Sequence, residues 1–143
     1  MVDIGEKEIV KRAATAEGSL FLKRSTLKMI SEGRIKKGDV IGASKLASIQ
    51  AAKATSTILP LCHQVPLTSA DVDIEITGYR LVARCTVTAN YRTGVEMEAL
   101  VGVTTALLNA WDMVKYLEKD SKGQYPRTRM DCIRVLNKTK GGK

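Results

Sequence analysis

Three stretches of the chain carry side chains able to move protons or grip a charged ligand. Leu59-Pro60-Leu61-Cys62-His63-Gln64 holds the single histidine. An imidazole gains and loses a proton near neutral pH, and the neighbouring Pro60 and Cys62 place it on a loop, where binding groups concentrate. Most lone histidines are structural, so this signal is weak by itself. Thr93-Gly94-Val95-Glu96-Met97-Glu98-Ala99-Leu100 sets two acids two residues apart where an extended segment enters a helix. Acids suit the positive end of the helix dipole. They also suit a guanidine-like N–H edge, because one carboxylate accepts two parallel hydrogen bonds. Asp112-Met113-Val114-Lys115 puts a carboxylate and an ammonium three residues apart, on one helix face. Without context that is an exposed ion pair of little consequence for stability.

The charge distribution says what such groups face. The net charge is +8, and it lies at the two ends of the chain. Residues 113–143 carry nine Lys or Arg against three Asp or Glu, and residues 1–37 nine against five. Residues 38–112 carry five against seven. An anionic ligand follows, either nucleic acid or a polyphosphate metabolite, with a basic solvated surface as the plain alternative. Cys62, Cys85 and Cys132 form no C-x-x-C pair, so no zinc or iron–sulfur site is written here. Cys85 and Cys132 sit in strand-like runs and are expected to be buried small hydrophobes. No phosphate-binding Walker loop is present. No apolar run reaches the ~20 residues of a membrane span, and Met1-Val2-Asp3-Ile4-Gly5-Glu6-Lys7 lacks the order of a signal peptide. The expected location is the cytoplasm.

These residues need a frame, and the pattern supplies one. Residues Ile9 to Leu22 read as extended. Ser25 or Thr26 caps a short helix through Ile30, and Gly33 suits its left-handed end. Lys36-Lys37-Gly38-Asp39 is a polar turn. Ala43 to Ile58 is an Ala-rich helix, ended by Pro60. Asp71 to Thr77 alternates strictly, Gly78-Tyr79 turns, and Leu81 to Ala89 alternates again, completing a hairpin. Glu98 to Lys119 is the longest helix, and Met130 to Leu136 a closing strand. The order β, α, α, β, β, α, β predicts an α+β, ferredoxin-like sandwich: an antiparallel four-stranded sheet with helices on one side. One domain spans residues 1–143. The bare face of the sheet needs cover, which oligomerisation would supply.

Together the stretches resemble the cyclic pyranopterin monophosphate synthase family, that of molybdenum cofactor biosynthesis protein C. The resemblance runs from Met1-Val2-Asp3 to about Lys138. It rests on Gly33-Arg34 with Lys37-Gly38-Asp39-Val40, on Ile49-Gln50-Ala51-Ala52-Lys53, and on the three stretches above. The resemblance implies that Leu61, Cys62 and His63 form a substrate-binding loop. It implies a second substrate-contacting pair, Met97 and Glu98, with Glu96 beside them. Asp112 matches the catalytic acid, and Lys37, Lys115 and Lys138 match pocket lysines. Lys115 would serve as charge, or as a proton donor if burial lowers its pKa. Gln64 stands where the family usually has proline, and Pro66 is positioned to compensate. Lys138 and Lys140 compete for one role; Lys138 is preferred as the residue directly following the closing strand.

The implied activity converts 3′,8-cyclised dihydro-GTP, made by a radical partner enzyme, to cyclic pyranopterin monophosphate with release of pyrophosphate. Fixed lysines suit a triphosphate, and Asp112, His63 and a lysine suit the proton transfers. The protein itself would need no cofactor; magnesium would arrive on the substrate triphosphate. The family assembles as a homohexamer, a trimer of dimers. Sites shared between subunits are expected, since Glu98 and Asp112 lie 14 residues apart, ~21 Å along a straight helix. No nucleic acid or membrane partner is expected. The rivals are a ferredoxin-like nucleic-acid module and a non-catalytic pterin- or nucleotide-binding regulator. The first lacks stacking aromatics between Leu81 and Asn90.

Overall fold

Strict alternation places every second residue of a strand on one face, and that rule builds the centre of this molecule. A computed structural model describes residues 1–141. Gly142 and Lys143, the end of the C-terminal lysine and glycine run, lie outside the described residues. The strands are β1 (Val10–Phe21), β2 (Ser69–Thr77), β3 (Arg80–Tyr91) and β4 (Arg129–Lys140), and the helices α1 (Arg24–Ser31), α2 (Val40–Lys53), α3 (Thr55–Ile58) and α4 (Glu96–Glu118). The sheet order is β2-β3-β1-β4, all neighbours antiparallel. The α+β ferredoxin-like architecture follows, with the helices packed on one side.

Ala16 pairs with Cys85, and Cys85 with Val72, so these three share the face turned to the helices. Ala14, Leu20, Leu81, Ala83, Val87 and Ala89 complete that face, all buried. Small residues let α4 lie close on it. A Cβ built on Gly18 would meet Val103 Cγ1 at 2.8 Å, Leu107 Cδ1 at 2.9 Å and Ile133 Cγ1 at 3.0 Å. Gly18→Ala therefore overpacks a filled layer, at a cost of ~1–3 kcal/mol. A lower urea midpoint at unchanged slope is the expected result; an unchanged midpoint would show that the layer yields.

The opposite face was expected to need cover. It is instead polar. Thr15 and Thr86 hydroxyls lie 2.9 Å apart, and Arg84 donates to Glu17 at 2.7 Å and to Glu75 at 3.0 Å. Such a face is tolerable in water.

Several boundaries move for identifiable reasons. Helix α2 starts at Val40, because Asp39 is an N-cap rather than only a turn residue: its Oδ1 accepts from Gly42 N at 3.0 Å. The predicted single helix to Ile58 breaks at Ala54, where Thr55 Oγ1 turns back to Ala52 O at 2.9 Å. Neither Ser25 nor Thr26 caps α1. Its N-cap is Lys23, without a side-chain cap bond. Thr26 Oγ1 donates instead to Glu118 at 2.5 Å, and Thr128 Oγ1 at 2.8 Å and Lys23 N at 3.1 Å join it. The buried Glu118 thus ties α1, the end of α4 and the approach to β4 together. Strand β4 runs on to Lys140, four residues beyond the expected end. Cys132, expected inside, is exposed at φ 56° where β4 bulges opposite Gly18. Cys85 is buried as expected. No helix among the described residues is long and apolar enough to cross a membrane.

Candidate functional site

Helix α4 carries acids in its first turn, Glu96 and Glu98, and Asp112 four turns later. The candidate residues gather around those two places. At the first, Leu61, Cys62, His63, Glu96 and Met97 line one cleft of about 630 Å³ with Val2, Leu59, Pro60, Thr93 and Gly94. The Pro60 loop supplies one wall, and the link from β3 into α4 the other. Cys62 N bonds to Leu59 O at 3.0 Å, which closes the loop beneath His63.

Glu98 points inward from this wall. It is 2% exposed, and its Oε2 has no hydrogen-bond partner among the described residues. Burial raises its pKa, and the charge of Glu96 adds to the rise. The Cys62 thiol is likewise pushed up, by burial first and then by Glu98. Glu96 goes the other way. Burial favours its neutral form, but the hydrogen bond from Lys138, its own backbone N–H and the charges of Lys138 and Arg12 outweigh this. The Lys138–Glu96 distance is 2.7 Å.

Lys138 does not follow the closing strand, as expected, but lies within it, opposite Ala14. Lys140, on the same side two residues on, lines the same groove with Arg12, Thr93, Gly94 and Glu96. Both lysines reach this groove, and Lys138 is the one that pairs with an acid there. Val2 and Arg12 are contributors that sequence reasoning missed, and Thr93 and Gly94, from a stretch it singled out, join them in the lining. Arg12 had one available signal, a cation at the start of a strand otherwise rich in alanine.

At the second place Asp112 sits between two ammonium groups. Lys115 Nζ lies 2.8 Å from Oδ1, and Lys37 Nζ 2.8 Å from Oδ2. Lys37 reaches α4 because its turn is anchored there: Lys36 N donates to the Tyr116 hydroxyl at 3.2 Å, and Gly38 N to Ile35 O at 3.0 Å. The left-handed φ of +107° at Gly38 makes that turn possible. The hydrogen bond from Lys115, then that from Lys37, lowers Asp112 to about 2. A carboxyl so held is ionised at neutral pH, so it enters any reaction as a proton acceptor before it can act as an acid. Lys115 is not buried, and its pKa is raised by Asp112 rather than lowered. The burial-lowered pKa that a proton-donor role was expected to need is therefore not found.

The structure therefore brings Lys37, Asp112 and Lys115 together, and separately Leu61, Cys62, His63, Glu96, Met97, Glu98 and Lys138. It does not join the two sets within the chain. Among the described residues no group of three or more His, Cys, Asp or Glu is arranged to hold a metal ion.

Comparison with known proteins completes the description. The model of the MoaC family matches residues 1–141. A "Probable cyclic pyranopterin monophosphate synthase" of Thermococcus kodakarensis is 51% identical over 99% of this chain and 90% of its own length. One of the same name from Saccharolobus solfataricus is 53% identical over 98% of this chain and 94% of its own. A "Probable cyclic pyranopterin monophosphate synthase accessory protein" of Methanothermobacter thermautotrophicus is 50% identical over 98% and 88%.

Proposed function

The chain belongs to the MoaC family, and from that premise we propose that it is the cyclic pyranopterin monophosphate synthase of molybdenum cofactor biosynthesis. Its substrate is 3′,8-cyclised dihydro-GTP, and pyrophosphate leaves as the cyclic phosphate forms. The observation that carries this reading is Asp112 held ionised between Lys37 and Lys115. A protein that merely bound a pterin or a nucleotide would need the cations but not a carboxylate between them. The comparisons give the nucleic-acid reading no support.

Each residue set has a task. Lys37 and Lys115 meet phosphate oxygens as fixed charges, while Asp112 takes up a proton. Glu96 and Glu98 face the N–H edge of the base, and His63 with Leu61, Cys62 and Met97 closes around it. Lys138 adds a further cation at that end. Magnesium, where present, arrives with the triphosphate, and the described residues hold no cluster of His, Cys, Asp or Glu arranged for it. The enzyme works in the cytoplasm as a hexamer of three dimers with sites shared between subunits, downstream of a radical partner enzyme that makes the cyclised substrate.

The purified protein is expected to release pyrophosphate from the cyclised intermediate, or from GTP when the radical partner is supplied, and none from GTP alone. Coupled detection of pyrophosphate reads this directly. Steady conversion of plain GTP by the pure protein would overturn the assignment.

A further inference from the structure

The first nine residues form no strand or helix, yet side chains from two other parts of the chain hold them at two points. His63 Nε2 lies 2.6 Å from the Val2 carbonyl oxygen. Further along the segment, the Arg92 guanidinium donates to the Gly5 carbonyl oxygen. Between these anchors the segment is stiffened locally. Gly5 N donates to Asp3 Oδ1 at 2.8 Å, and Lys7 N to Ile4 O at 3.1 Å. Val2 is itself among the residues that line the cleft, and it is 75% exposed. Little apolar burial fixes the segment, so its hydrogen bonds set its position.

A carbonyl oxygen only accepts, so the ring nitrogen that meets Val2 must carry the proton. The neutral ring is then the Nε2–H tautomer, and Nδ1 is its one acceptor. The geometry points to residues Val2–Gly5 as a positioning strap: the Val2 carbonyl holds the His63 ring so that Nδ1 receives an N–H or O–H of the substrate. This inference rests on the synthase reading for what occupies the cleft, but not for the state of the ring. Val2 is a positioning residue, acting through His63, and its contribution comes from the backbone. Val2→Ala should therefore preserve the effect, and removal of the segment should abolish it.

The single histidine makes the test clean, because every imidazole signal in the full chain belongs to His63. Proton–nitrogen spectra recorded at alkaline pH should show an Nε2 proton slowed in exchange with water. The deletion of Val2–Ile4 should lose that protection, and Arg92→Ala, which frees the other anchor, should weaken it. In the pyrophosphate assay the deletion should raise KM roughly 3–10-fold, the scale of one lost hydrogen bond, with kcat within about threefold. An Nε2 proton that exchanges equally fast in the full chain and the deletion would overturn the strap, as would an unchanged KM. If the full chain releases no pyrophosphate at all, the synthase reading fails, and the spectra alone decide the strap.

Discussion

Asp112→Asn is expected to keep the fold and the affinity for substrate while turnover falls by ~10²–10⁴-fold, the usual contribution of a positioned acid–base group. The substitution is nearly isosteric and removes the charge and the titratable site. Asp112 is half-exposed and packs against nothing that needs its oxygens except Lys37 and Lys115. Both ammonium groups stay in place when it goes, free to meet phosphate, so KM should not rise. The pH dependence is a second reading of the same residue. Its pKa is depressed in the folded chain, so its ionised, paired form is complete above the ordinary carboxylate range and is lost only as pH falls through about 2. An acid limb in the rate profile near neutrality would then belong to another group and should persist in the variant's residual activity. Turnover within about threefold of the parent would return Asp112 to the status of a surface ion pair.

What the sequence revealed and what it hid follow from the same physics. The β2–β3 hairpin was legible because both strands alternate and Gly78 takes the left-handed turn, at φ +60°. Helix α4 was legible from its long apolar stripe. Strand β4 was read four residues short because Asn137-Lys138-Thr139-Lys140 has no apolar alternation; pairing with β1 defines it. Cys132 was read as buried because a bulge, invisible to a period of two, turns it outward. Candidate residues could be named from the sequence, but their exposure could not. That is why Lys115 was allowed a lowered pKa that its ion pair reverses. Glu118 went unread, although it left a signal. An acid in the last turn of a helix opposes the dipole, and this one is held by Thr26, Thr128 and the backbone of Lys23.

Two inactive variants, Glu98→Ala and Asp112→Ala, are expected to regain activity when mixed through reversible dissociation. Helix α4 runs unbroken from Glu96 to Glu118, so Glu98 lies within its first turn and no late start shortens the gap to Asp112. Fourteen residues then span ~21 Å along the axis. Each acid keeps its own company: Glu98 acts on Cys62 and feels Glu96 at one end, and Asp112 pairs with Lys37 and Lys115 at the other. A single nucleotide has its base and its triphosphate to offer, and both ends of one helix are too far apart to receive them. A two-fold contact that sets the Glu98 end of one subunit against the Asp112 end of its partner creates two complete sites. In a mixed pair one site then carries both lesions and the other neither. Random pairing of equal amounts makes half the dimers mixed, so about a quarter of the parent sites should return. Glu98→Gln, which keeps the side-chain volume of this buried position, guards against a partner that fails simply because it does not fold. With subunit exchange confirmed independently, no recovery in either pairing would place both acids in separate roles within one chain and remove the argument for a shared site.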